Sequence, residues 1–144
     1  MALIRHIGIV VTDIEQSLQF YRDALGFKIL KKTDESGTCI DNFLNIQNTK
    51  VTTVKMIDPN NHILELLYFH SHPELSDTNK FRRLTEIGCS HFALTVDDLD
   101  SLYSRLNEQG IKFNYPPQVS DDGNVKVAFC RDPDGTYIEM VEEL

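Results

Sequence analysis

The sequence predicts an α+β protein made of two β-α-β-β-β modules, and three observations carry that prediction. Two apolar, strand-like runs each open on a histidine, H-I-G-I-V-V at His6 and H-F-A-L-T-V at His91. Each run is followed by a stretch of helical period that a glycine closes. His6 to Gly26 covers 20 positions, and His91 to Gly110 covers 19. Each half then ends on a D-P turn and a strand with a glutamate inside it, D-P-N-N-H-I-L-E-L and D-P-D-G-T-Y-I-E-M. In both, the Asp precedes the Glu by seven residues. The copies are offset by about 85 residues, longer than a solenoid unit. Two copies suggest a pseudo-symmetric pair of small sheets that bury their faces together or across a dimer.

The elements follow in order. Residues 5–11 are rich in Ile and Val and read as a largely buried strand. Thr12 and Glu15 have the spacing of a capping box, and Ile14, Leu18, Tyr21 and Leu25 follow on one helical face before Gly26. F-K-I-L-K-K is the next strand. Residues 34–48 are mixed and read as a loop or short helix around Ile40, Phe43 and Leu44. V-T-T-V-K-M-I and H-I-L-E-L-L-Y-F are strands joined by the D-P-N-N turn. In the second half Asp97 or Asp98 caps a helix bearing Leu99, Leu102, Tyr103 and Leu106. I-K-F-N-Y, V-K-V-A-F-C and T-Y-I-E-M-V-E are its remaining strands. The chain thus reads as a single domain over 1–144, with module one at 1–68, a connector at 69–90 and module two at 91–144. A short helix is expected near Phe81 and Leu84.

Bulk composition narrows the function. The chain has 144 residues, 41% hydrophobic and 25% charged, which suits a globular protein with a real core. A net charge of −8 argues against nucleic-acid binding, which needs a basic face. It leaves room for a small anionic substrate, because a metal ion and a few cations can reverse the local field. No apolar run approaches the ~18 residues of a membrane span, and the N-terminus lacks the order of a signal peptide. Cys39, Cys89 and Cys130 form no C-x-x-C spacing and read as reduced thiols, so a cytoplasmic location is expected.

Strand parity points to the site. Ile7, Ile9 and Val11 lie opposite His6 in parity, and Leu64 and Leu66 lie opposite Glu65. Phe92, Leu94 and Val96 lie opposite His91, and Ile138 and Met140 opposite Glu139. Each polar residue therefore points away from the aliphatic face that packs on the helices. A carboxylate inside an apolar strand is costly unless paired or solvated, and one divalent cation would pair both glutamates. Two imidazoles and two carboxylates suit Zn, Ni, Co, Mn or Fe(II) with open positions for water or substrate. A lone strand histidine is more often a hydrogen-bonded or edge residue, and a lone strand glutamate more often faces solvent. The fourfold match at equivalent repeat positions is what favours a site. His62, His70 and His72 have no counterparts and read as surface residues. Arg5, Lys126 and Arg131 lie near the site strands and are candidates for meeting an anionic group or, more simply, solvated cations. Phe43, Met56, Phe113 and Tyr115 are candidates for a pocket lining or, more simply, core.

These residues resemble the vicinal oxygen chelate superfamily, which includes glyoxalase I, methylmalonyl-CoA epimerase, extradiol dioxygenases and fosfomycin- and bleomycin-resistance proteins. H-I-G-I-V-V-T-D-I, F-Y-R-D-A-L-G-F, D-P-N-N-H-I-L-E-L, S-H-F-A-L-T-V-D-D-L and D-P-D-G-T-Y-I-E-M carry the likeness across nearly the whole chain. The resemblance implies paired modules forming a half-open eight-stranded barrel around a divalent metal, a small-molecule substrate, and a homodimer whose modules pair within or across chains. It implies His6, Glu65, His91 and Glu139 as metal ligands, matching a glyoxalase I-like His-Glu-His-Glu set. Glu139 would also be the general base, and Glu65 a ligand able to exchange roles with it. The implied chemistry is that of a lyase or isomerase in which the metal stabilises an enediolate and a ligand carboxylate moves the proton. Alternatives within the superfamily are an acyl-CoA epimerase-like enzyme, in which Gln often stands at the place of Glu65, and an Fe(II) dioxygenase-like enzyme. A non-catalytic small-molecule binding or resistance protein is the remaining alternative.

Overall fold

The computed structural model describes residues 1–72 and 82–144. The chain divides into two compact units, Met1–Leu75 and Ser76–Leu144.

The first unit is a four-stranded mixed sheet in the order β1-β4-β3-β2, with β1 at Ile7–Val10, β2 at Lys28–Ser36, β3 at Lys50–Ile57 and β4 at Ile63–Phe69. β1 runs parallel to its neighbour β4, and the other pairs are antiparallel. The parallel pair requires a crossover. That crossover begins with helix α1, Ile14–Leu18, which continues as a π-helical stretch, Gln19–Ala24. The wider π turn brings Phe20 as well as Leu18 and Tyr21 into the core beside Ile9, Val54, Met56, Leu64 and Leu66. Gly26 ends the helix at φ +87°, a left-handed conformation that favours glycine.

The cap of α1 sits one residue later than the T-x-x-E spacing predicts. Asp13 is extended, and its Oδ1 accepts a hydrogen bond from the Gln16 amide at 3.0 Å. A short carboxylate reaches that amide directly, so the register moves to D-x-x-Q. β2 is also longer than F-K-I-L-K-K, because Thr33–Ser36 stay in register with Lys50–Thr53. The mixed segment after it forms α2, Thr38–Leu44, which buries none of its side chains. Phe43 is 77% exposed and does not belong to the core, whereas Met56 is fully buried.

The second unit repeats the plan as β5-β8-β7-β6, with β5 at His91–Thr95, β6 at Gln118–Val119, β7 at Val125–Arg131 and β8 at Tyr137–Glu143. β5 again pairs in parallel with the last strand. Helix α3, Leu99–Glu108, packs Leu99 and Leu106 into a core with Ala128, Cys130, Ile138 and Met140. Of the two cap candidates, Asp98 is the cap. Its Oδ1 accepts from the Ser101 amide at 2.9 Å, and Glu142 Oε2 accepts from the Leu99 amide at 2.9 Å. The segment I-K-F-N-Y is not a strand. It contributes a single bridge, Phe113 to Cys130, and the edge strand forms only after Pro116 and Pro117. Those prolines lack amide hydrogens for a ladder, and Phe113 instead turns its ring onto Tyr103 at 4.8 Å between centroids. Tyr115 is 66% exposed and is not core. The helix expected near Phe81 and Leu84 falls partly outside the described residues: Phe81 is among those omitted, and Leu84 lies in a turn.

Candidate metal centre

Ladder register places a histidine beside a glutamate in each unit. In the first, Gly8 is the parallel partner of Glu65, so His6, two residues earlier, projects from the same face of the sheet. His6 Nε2 lies 3.3 Å from Glu65 Oε2. In the second, Ala93 is the partner of Glu139, and His91 is again two residues earlier. His91 Nε2 lies 3.2 Å from Glu139 Oε2. The two pairs therefore match in residue type, register and separation. The opposite face of each sheet is the apolar one, with Leu64, Leu66, Ile138 and Met140 all buried.

The donor chemistry fits a divalent ion. Two ligand atoms each about 2.0–2.2 Å from one ion stand roughly 3.0–3.5 Å apart, and both pairs fall in that range. The separations are longer than the about 2.7–2.9 Å of a strong charge-assisted hydrogen bond. Within either unit, no third His, Cys, Asp or Glu joins the pair among the described residues. Each unit thus offers two of the four donors expected.

The pairs differ in their surroundings. The Glu65 side chain is 11% exposed, low for a carboxylate, while that of Glu139 is 25% exposed. Ser90 Oγ lies 2.7 Å from His91 Nδ1, which holds the ring and leaves Nε2 for Glu139. His6 has no such partner on Nδ1 among the described residues. Phe129, the ladder partner of Glu139, meets the His91 ring edge-on at 5.1 Å. The ladder partner of Glu65 is Lys55.

The remaining candidates are engaged elsewhere or lie at the surface. Lys126 bridges Asp100 at 2.7 Å and Glu142 at 3.4 Å, and the Asp100 contact raises its pKa. It sits on the α3 side of its sheet and braces the helix start. Arg131 lies over the Tyr137 ring and donates to the Tyr137 hydroxyl and to the carbonyls of Arg82 and Gly135. Neither is a free cation for a ligand. Arg5 is exposed. His62, His70 and His72 are surface residues as expected, with His62 Nδ1 at 2.8 Å from Asp58 and His70 Nε2 at 2.7 Å from Thr52 Oγ1. Ser90, Phe129 and Lys55 carry no local sequence signal for the site. Ser90 adjoins His91, but only the folded backbone brings its hydroxyl to the ring. The other two follow only from knowing which residue stands opposite each glutamate.

Two β-α-β-β-β units, each presenting a His–Glu pair from a parallel strand pair, define a duplicated-module α+β protein. The family model of the Glyoxalase/Bleomycin resistance protein/Dioxygenase superfamily matches residues 3–140, and the chain belongs to that superfamily. It is 30% identical over 138 residues to the "Probable lactoylglutathione lyase" of Synechocystis, covering 95% of this chain and 92% of that protein. It is 30% identical over 141 residues to the catechol-2,3-dioxygenase of Bacillus subtilis, covering 94% of this chain and 40% of that protein. A glyoxalase family protein from Bacillus cereus shares the fold, with a TM-score of 0.91 at 21% identity over 100% of this chain and 95% of that one.

Proposed function

We propose that the chain is a divalent-metal-dependent lyase or isomerase of the glyoxalase type, acting on a small molecule. The observation that carries this reading is the pair of His–Glu contacts at identical ladder register, 3.3 and 3.2 Å. In this reading His6, Glu65, His91 and Glu139 hold one ion between them. That ion would supply Lewis-acid stabilisation of charge developing on substrate oxygens. Glu139 takes a proton from one carbon and returns it to its neighbour, so the step is an isomerisation with no net gain or loss. Glu139 suits that role because it is the more exposed of the two carboxylates. Ser90 fixes the His91 ring, and Phe129 packs edge-on against it. Glu65 is chiefly a ligand and can exchange roles with Glu139. We read the chain as a single domain with modules at 1–68 and 91–144, working as a cytoplasmic homodimer. No described helix is long and apolar enough to cross a membrane.

The test is metal analysis of the purified protein followed by assays on a panel of hemithioacetals and acyl thioesters. Metal-dependent isomerisation of a hemithioacetal supports the reading. A stoichiometrically metallated protein that turns over none of them rejects it. The similarity to a catechol-2,3-dioxygenase favours one second reading, ferrous oxygen chemistry at the same residues. Oxygen consumption with a catechol and ferrous ion would support that alternative, and none would remove it.

A further inference from the structure

The row of the first sheet that contains Glu65 runs on into two lysines. Gly8, Glu65, Lys55 and Lys31 are successive ladder partners on β1, β4, β3 and β2. Residues directly opposite one another project from the same face, here the face of the His6–Glu65 pair. Lys55 is half-buried and Lys31 is exposed. Like charges directly opposite destabilise a ladder. Nothing in the composition forces this pairing: the chain carries 22 acidic residues against 14 basic ones. Among the described residues neither ammonium makes an ion pair or hydrogen bond, and the Glu65 Oε2 next to Lys55 is turned to His6. The corresponding row of the second unit, Ala93, Glu139 and Phe129, has no cation. Two uncompensated positive charges thus stand beside one carboxylate and not beside its counterpart.

We propose that Lys55 and Lys31 form an anion subsite that takes a carboxylate or phosphate group of the small molecule handled by the His–Glu pairs. The inference rests on the reading that this sheet face receives substrate, and it adds the substrate class: a molecule with an oxyanion on one side of its reacting carbons. Lys55 is half-buried, and at a partly desolvated surface an ion contact is stronger than in bulk water. Lys31, one strand further out, extends the positive field toward solvent and accounts for a like-charge pair that otherwise only weakens the sheet. The ammonium groups act as point charges, so the site binds an oxyanion without the planar fork that selects carboxylate over phosphate.

The experiment titrates ¹⁵N-labelled protein with inorganic phosphate and, separately, succinate at constant ionic strength, so that screening does not mimic binding. Saturable shifts of the amides of Lys31–Thr33 and Thr53–Lys55 are expected. Lys55→Gln should weaken binding roughly tenfold, and Lys55→Arg should largely restore it. Lys32→Gln, whose ladder partner Val54 belongs to the opposite, apolar face, should bind as wild type. Tighter binding of phosphate or of succinate identifies the group the site prefers. No saturable shift, or an equal loss in Lys32→Gln and Lys55→Gln, overturns the proposal. A parallel assay compares methylglyoxal hemithioacetals of 3-mercaptopropionate and 2-mercaptoethanol. The subsite predicts that Lys55→Gln raises the anionic-to-neutral KM ratio roughly tenfold. An unchanged ratio with both substrates turned over removes the subsite and leaves the reaction reading intact. Intact phosphate shifts with neither substrate turned over leave the subsite standing and remove the glyoxalase reading.

Discussion

His91 Nε2 lies 3.2 Å from Glu139 Oε2, with His91 two residues ahead of the strand position that faces Glu139 across a parallel ladder. The same offset recurs for His6 and Glu65 in the first unit, with 3.3 Å between the donor atoms. Two sheets of separate sequence thus place an imidazole and a carboxylate in one geometric relation. The His91 ring is further held at Nδ1 by the Ser90 hydroxyl at 2.7 Å.

That hydroxyl carries the first prediction. Ser90→Ala leaves all four donors in place but frees the His91 ring to rotate. A lost partner of this kind typically weakens metal affinity by about 10–100-fold. Competition with a chelator of known affinity measures it, and an unchanged affinity would show that Ser90 does not orient the ring.

The cross-strand pair Lys31–Lys55 gives a stability prediction of opposite sign to most substitutions. Lys31→Gln removes a like-charge contact and should stabilise the ligand-free protein by about 0.2–1 kcal/mol in chemical denaturation at low salt. The gain should shrink as salt screens the repulsion.

The start of α3 predicts acid sensitivity. The Ser101 hydroxyl and amide hydrogen bonds hold the Asp98 carboxyl below its ordinary value of 3.8. A carboxyl with a depressed folded value contributes stability above its unfolded pKa and loses it as pH falls through the folded one. Wild type should therefore lose stability more steeply below about pH 4 than Asp98→Asn does. Thermal melts of the two proteins between neutral and acid pH test this, and parallel curves would contradict it.

Thiol reactivity should separate the cysteines. Cys39 and Cys89 are exposed, whereas Cys130 is fully buried. Burial, with the Asp132 charge adding to it, pushes the Cys130 thiol up to about 12. A thiolate reagent should modify two groups per chain in the native state and the third only on unfolding. Leu106→Ala, in the same core, should cost about 2–5 kcal/mol of stability by leaving a cavity under α3.

Much of this was legible in the sequence because it is periodic. Alternation in H-I-L-E-L and T-Y-I-E-M put Glu65 and Glu139 opposite buried Leu64, Leu66, Ile138 and Met140, and the ladders agree. Gly26 and Gly110 marked both helix ends, where each adopts a positive φ. What periodicity could not carry was cross-strand partnership. Lys55 and Phe129 stand opposite the two glutamates, yet they occupy unrelated local patterns. Register depends on the bulge between Ile29 and Lys31 and on turn lengths that no single segment encodes. Arg131 and Lys126 are neither substrate-facing nor simply solvated for the same reason, since their partners at Tyr137, Asp100 and Glu142 come from other elements. The I-K-F-N-Y segment looked like a strand by composition, but Pro116 and Pro117 and the Phe113–Tyr103 contact took it out of the ladder.

The central question is whether the two His–Glu pairs serve one ion. Elemental analysis of the purified wild-type protein beside His6→Ala/Glu65→Ala and His91→Ala/Glu139→Ala, each confirmed folded by circular dichroism, tests this most directly. One divalent ion per chain is expected in the wild type, with near-complete loss in both double variants. Full metal retained after removal of either pair, or none in the wild type after loading with Zn, Ni, Co, Mn and Fe(II), would contradict it.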